Sequence, residues 1–307
     1  MNNPRLPIAR MLTFGMLPGC IKKFVYRLQG NQIGRHVRMQ LGSVIVSKER
    51  FSIGDYTTIG YFTSISARQM TIGNHTNIRS AVLIKATKVV IGNDVTISET
   101  SIIRAGHLSE QSELVVDDLV HIFPHTTIDP SCRVHLHEEC AVGPGCSIFT
   151  HGSYKSVLDG YRVSYGNVDI GKRVELTYNV FVTQGVCIGD DAVVAYGSYV
   201  NHDIPAGVLA AGCPAVVKRQ KEQFAPMPSA DERAVMLNDI LTKFDHHLDF
   251  LGVEHDNDSI VFNGNCITVG DSCQFDLVAH KCDHSTSPVA KELRRFLSRY
   301  GIRFVTR

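Results

Sequence analysis

From residue 53 to residue 200 an aliphatic side chain returns every six residues, in triplets that open at Ile53, Ile72, Ile91, Val116, Leu136, Ile170 and Ile188. The first triplet runs Ile53, Ile59, Ile65 and the last Ile188, Val194, Val200. Within a triplet the step is always six; between triplets it is seven, seven, thirteen, eight, twenty-two and six. A fixed period of this kind marks a repeat architecture. Irregularity confined to one phase is what a three-sided coil produces when each side takes one hexapeptide and extra residues leave at a single corner. Ile33, Met39 and Ile45 fit an eighth coil, entered through "QIGRHV" at 32–37. Four residues after most of these aliphatics stands a small or β-branched residue, among them Thr57, Thr76, Val95, Ser101, Thr126, Cys140, Cys146, Val180 and Ala192. Such residues suit tight corners in a stack of short parallel strands, where each coil buries its apolar side only against its neighbours. A sandwich or barrel would need polar and apolar residues alternating with period two. The expectation is a mainly β chain, built as a parallel β-helix of about eight coils.

Both ends depart from the repeat. Residues 1–30 are expected to form a basic helical segment, with "IKKFVYRLQG" at 21–30 as a short amphipathic helix packing on the end of the stack. The first fifty residues carry nine Lys and Arg against Glu49 alone. That basic end suits an anionic membrane face or a lipid-linked sugar pyrophosphate, and a solvated surface explains it equally. "MLPGC" at 16–20 faintly resembles a lipoprotein cleavage box, but the apolar run before it is short and Pro18 fits poorly. Past Arg219 the period stops. Residues 221–307 read as a small α/β domain. Ser229 and Glu232 form a capping box before a helix, Ser287 and Pro288 open a second helix, and "SIVFNG", "SCQFDLV" and "IRFV" read as strands. Arg294, Arg295, Arg299 and Arg303 would line a basic helix face, while His280, Cys282 and His284 with Cys273 permit a metal site or a half-buried strand.

Composition agrees with a well-packed chain: 307 residues, 44% hydrophobic, net charge +1, and no stretch long and apolar enough to span a bilayer. Nine cysteines with no CxxC pair point to a reducing compartment, hence a cytoplasmic location, with peripheral contact to the inner membrane face left open. Nucleic acid is not an expected partner.

Residues 31–220 resemble the left-handed β-helix, hexapeptide-repeat acyltransferases, and the galactoside and maltose acetyltransferase branch in particular. The resemblance rests on His151 followed by a polar loop, Gly171, "AYGS" at 195–198, "DIP" at 203–205 and "CPAVVKR" at 213–219. It implies a left-handed coil, a homotrimer with active sites between neighbouring subunits, an acyl-CoA donor (acetyl-CoA by default) and no metal. It implies His151 as the catalytic histidine and cofactor contacts at Tyr178, Ala195, Tyr196, Gly197, Ser198, Asn201, Lys218 and Arg219. Tyr154, Tyr161 and Arg162 in the loop suit a sugar, and Glu175 replaces a tryptophan that often flanks the acceptor.

The chemistry accounts for the histidine. A sugar hydroxyl is a weak nucleophile near neutrality, and a free imidazole, with a pKa of about 6.5, can take its proton as the oxygen attacks a thioester. The expected activity is O-acyl transfer from acyl-CoA to a saccharide hydroxyl, directly and without an acyl-enzyme. Cys146 and Cys187 have no recognisable activating partner. Alternatives are N-acetylation of a nucleotide-linked amino sugar, a non-catalytic scaffold, and a zinc lyase of the gamma carbonic anhydrase type using His121, His125, His135, His137 or His151.

Overall fold

The structure is a computed structural model that describes residues 8–152, 155–253, 260–270, 273–285 and 287–306. The chain divides into two compact units, Met1–Phe224 and Ala225–Arg307.

In the first unit the six-residue step becomes three parallel sheets, one for each side of a triangular coil. On the first side Ile33, Ile53, Ile72, Ile91, Val116, Leu136, Ile170 and Ile188 share one register on successive strands. On the second, Met39, Ile59, Ile78, Ile97, Ile122, Val142, Leu176 and Val194 do the same. On the third the column is Ile45, Ile65, Ile84, Ile103, Ile128, Ile148, Val182 and Val200. The three columns meet in one continuous buried core. The expected β-helix is therefore present, eighth coil included.

Corner chemistry explains how so short a repeat closes. Three residues after each inward aliphatic on the first side, the backbone turns left-handed, at His36, Tyr56, His75, Asp94, Leu119, Glu139, Arg173 and Asp191. L-residues avoid this region at roughly 1–2 kcal/mol each, so neighbouring coils must hold it. They do: Tyr56 N donates to Arg35 O at 2.8 Å, His75 N to Asp55 O at 2.8 Å and Asp94 N to Asn74 O at 2.9 Å. One residue before five of these turns, at Asp55, Asn74, Asn93, Asp118 and Asp190, a short polar side chain ties two coils together. Asp55 Oδ1 accepts from Arg35 N at 2.7 Å, Asn74 Oδ1 from Asp55 N at 2.8 Å and Asn93 Oδ1 from Asn74 N at 2.8 Å. Coils approach so closely there that a Cβ on Gly54 would lie 2.6 Å from Asn74 N.

The helix Gly19–Leu28 caps the first coil, whose outer edge would otherwise leave carbonyls without donors. Lys22, fully buried, donates to Gly15 O at 3.1 Å, Gln40 O at 2.6 Å and Ser43 Oγ at 2.9 Å. Lys23 reaches Val37 O at 2.9 Å and Arg27 reaches Ile33 O at 2.8 Å. Three of the cations read from sequence as a free basic surface are thus spent on the coil edge.

In the second unit the helix Ala230–Leu251 opens on the expected capping box at Ser229 and Glu232. The helix Pro288–Ser298 opens on Ser287. Phe244, Leu248, Phe275, Leu293, Leu297 and Phe304 form its core beside a five-stranded sheet. The sequence reading missed the strand Cys266–Val269. Cys273 and Cys282 point into this core, and the proposed basic face is largely engaged: Arg294 donates to Phe304 O at 2.7 Å, and Arg295 and Arg299 lie 3.4 and 3.8 Å from Glu292.

Candidate active site

All extra residues leave at the corner between the third and first sides. The excursions are residues 105–112 and 150–167, with the short connection 130–133 on the coil between them. Three successive coils therefore deliver His107, Asp129 with Ser131, and His151 to one place.

Asp129 is buried, and backbone and side chain hold its carboxylate. Ser131 N donates to Oδ1 at 2.9 Å, Ser131 Oγ to Oδ1 at 2.6 Å, and Gly106 N to Oδ2 at 3.2 Å. Ser131 Oγ in turn accepts from His107 N at 3.0 Å. His151 Nδ1 lies 3.5 Å from Asp129 Oδ2, within ion-pairing reach but beyond a hydrogen bond, and that buried nitrogen has no other partner. Catalytic contacts of this kind are often long before substrate binds and tighten in the complex. Gly106 leaves the room: a Cβ there would lie 3.0 Å from Asp129 Oδ2 and 3.1 Å from His151 Cε1.

The loop is tied back at its root. His151–Gly152 pairs antiparallel with Ser164–Tyr165, and Gln184 Nε2 donates to Ser164 Oγ at 2.6 Å. The Tyr165 ring stacks on His151 with centroids 5.9 Å apart, and His107 meets His151 edge-on at 5.3 Å. Tyr165 also lines an open polar groove with Gln111, Glu113, Arg133 and Asn167. With Nδ1 turned to a fixed carboxylate, Nε2 of His151 is the nitrogen left to exchange a proton with a ligand.

Sequence reasoning singled out His151 and passed over His107, Asp129, Ser131 and Tyr165, which the fold gathers beside it. The thirteen-residue step that carries His107 was the available signal. The other expected site residues are scattered within one chain. Tyr154 lies outside the described residues. Tyr161 and Arg162 are exposed on the loop, Lys155 Nζ sitting 5.1 Å from the Tyr161 ring centre. Glu175 faces outward on the second side, the side opposite the His151 corner. Tyr178, Ala195, Tyr196, Gly197 and Ser198 gather at the corner between the second and third sides, where Gly197 N donates to Tyr178 O at 3.0 Å. Tyr178 and Tyr196 are exposed, whereas Ser198 is buried with its hydroxyl on Ala195 O at 2.6 Å. Asn201 is exposed after the last coil strand, and Lys218 and Arg219 are exposed on the closing strand Val216–Gln220.

The cysteines do not compete with His151 for the chemistry. Burial pushes the Cys146 thiol up to about 11, and its sulfur lies 3.0 Å from Thr177 O. Partial burial together with Asp203, Asp169 and Asp190 also raises Cys187. Neither forms a thiolate readily. His121 and His125 turn to Ser98 Oγ at 3.2 Å and Thr100 Oγ1 at 2.7 Å, apart from the His151 corner.

No protein-family model matches the chain. Over 92 residues it is 34% identical to the "Putative acetyltransferase YvoF" of Bacillus subtilis (strain 168), covering 30% of this chain and 51% of that one. Over 53 residues it is 43% identical to the galactoside O-acetyltransferase of Escherichia coli (strain K12), covering 17% and 26% of the two chains. The chain thus spans about half the length, or less, of these curated relatives. Among solved structures, the UDP-N-acetylglucosamine acyltransferase from Campylobacter jejuni covers 75% of this chain and 89% of its own at 17% identity and a TM-score of 0.48. That likeness is too distant to bear on chemistry. The acetyltransferase names of the curated relatives bear out the resemblance to hexapeptide-repeat acyltransferases read from the sequence.

Proposed function

We propose that this chain, akin to the hexapeptide-repeat acyltransferases, moves an acyl group, by default acetyl, from acyl-CoA to a saccharide hydroxyl. The observation that carries the reading is the convergence of His151 and buried Asp129, 3.5 Å apart, at the corner where the repeat opens. His151 Nε2 takes the hydroxyl proton as the sugar oxygen bonds to the thioester carbonyl carbon. The tetrahedral intermediate then expels the CoA sulfur, which recovers the proton from the imidazolium. Asp129 orients the ring and offsets its transient charge. A positioned base contributes on the order of 10²- to 10⁴-fold; holding donor and acceptor together supplies more. The curated acetyltransferase relatives support the activity, one of them named for a galactoside acceptor.

Of the expected donor-binding residues, Tyr178 and Ala195 to Ser198 occupy a different corner from His151, so the site is completed by a neighbouring copy. A threefold assembly lets one surface pattern serve three equivalent sites. Leu158, 93% exposed at the tip of the loop, suits contact with such a neighbour. The enzyme acts in the cytoplasm as a homotrimer, and among the described residues no helix is long and apolar enough to cross a membrane. The test is incubation with acetyl-CoA and a panel of saccharides, read by product mass spectrometry and by sedimentation. Acetylated sugar from a trimeric species is expected; an active monomer would remove the shared site, and no transfer to any acceptor would remove the activity.

A further inference from the structure

A second cluster of histidines lies on the outer surface of the first side, on strands that present alternate residues outward. His135 lies on the strand Val134–Leu136 and His137 directly follows it, two residues on along extended chain, so both rings leave the same face. Their rings stack with centroids 3.7 Å apart. Asp117, from the preceding coil, reaches both: Oδ1 lies 3.0 Å from His135 Nε2 and Oδ2 lies 3.5 Å from His137 Nδ1. Among the described residues these three alone form a group whose metal-capable atoms all lie within 4.8 Å of one another.

The outer partners complete the pattern. Asp169, from the following coil, places Oδ1 at 4.0 Å from His135 Nδ1 and at 4.0 Å from His137 Nε2, the two nitrogens that Asp117 does not face. Arg133 holds the same oxygen at 2.8 Å. Metal-bound imidazoles characteristically turn their second nitrogen to a carboxylate, which fixes the tautomer. At zinc bond lengths near 2.1 Å, tetrahedral ligand atoms stand roughly 3.4 Å apart, and here one ligand atom from each residue lies within 4.8 Å of the other two, close enough for small side-chain shifts to bring them onto one ion.

We infer that Asp117, His135 and His137 bind one zinc-class divalent transition ion, with Asp169 as the carboxylate behind both imidazoles. Two imidazoles and one carboxylate select zinc, cobalt or nickel over magnesium and calcium, which prefer all-oxygen sets. The ion clasps two consecutive coils and leaves a fourth position for water. This site is separate from the His151 corner and does not depend on acyl transfer.

The test uses untagged, chelator-treated full-length protein titrated with Co²⁺, followed by the visible absorption of a four-coordinate ion and by Zn²⁺ competition. One equivalent per chain is expected, with excess Mg²⁺ failing to displace it. H135Q and H137Q should each weaken binding at least ten-fold, and D169N by about 10- to 100-fold. H246A, at an exposed histidine of the second unit, should bind as the parent does. Thermal melting without metal checks that each variant is folded, and added Zn²⁺ should raise the melting temperature of the parent but not of H137Q. Absence of saturable binding, or unchanged affinity in folded H135Q and H137Q, would overturn the site.

Discussion

Two kinds of corner share this coil and behave in opposite ways. Where the first side meets the second, and the second the third, every coil turns through a left-handed residue, from His36 to Asp191 at one corner and from Gly42 to Gly197 at the other. At the third corner no such series of left-handed turns recurs among the described residues: Gly185 turns left-handed where the step between triplets falls back to six, and Gly160 does so within the longest excursion. There the steps otherwise vary from seven to twenty-two, and there His107, Asp129 and His151 converge. The regular corners are fixed because each inward aliphatic must fall on the one below it. The third corner has no such constraint on what leaves it, so polar groups can be carried there without disturbing the core.

The most drastic way to break this contrast is to lengthen each kind of corner by one residue. Inserting an alanine between Asp94 and Val95 shifts the strands that follow out of register and turns core side chains toward solvent. Loss of cooperative melting is expected. The same insertion between Leu158 and Asp159, exposed on the loop, should leave the melting temperature near that of the parent. Equal damage from both would dissolve the distinction.

A smaller effect separates orientation from chemistry within the third corner. Asp129→Asn retains shape but loses the charge that faces His151 Nδ1. The turnover number should fall by about 10- to 10³-fold with little change in KM for the donor, since the carboxylate acts through the ring rather than on substrate. A rise in donor KM at unchanged turnover would assign Asp129 to binding instead.

The mildest prediction concerns the open end of the stack, where regularity is enforced by side chains rather than by another coil. Burial holds the Lys22 ammonium down at about 8, against 10.5 for an ordinary lysine. Between those values the unfolded chain binds the proton that the folded chain has released, so this residue makes unfolding harder as pH rises from 8 to about 10.5. Below pH 8 both states carry the charge and the dependence vanishes. In denaturant unfolding at several pH values, the stability of the parent relative to Lys22→Met should climb through that window by up to about 1.4 kcal/mol per pH unit. A flat difference would contradict the buried ammonium.

The legibility of these regions followed the same division. The aliphatic columns could be read from spacing alone, since period six in sequence is one side in space. His151 was visible because it stands at the mouth of the longest break. Asp129 was not, because it directly follows the inward Ile128 and its burial arises only when the chains around it fold over that corner. His107, Asp129 and His151 are separated by twenty-two residues each way, and only the stacking of coils makes them neighbours. The cations of the first helix were misread as free surface because the unpaired carbonyls of an open coil edge leave no mark in the sequence. His135 and His137 were weighed with three other histidines, though only these two share a face with Asp117.

The central claim is that the opened corner carries the reaction through His151 while the donor is held elsewhere. The direct test is His151→Ala, assayed for transfer from acetyl-CoA and, separately, for CoA affinity by calorimetry. A fall in turnover on the order of 10²- to 10⁴-fold with CoA affinity unchanged is the predicted result. Full activity in the folded variant, or loss of CoA binding in step with loss of turnover, would contradict it.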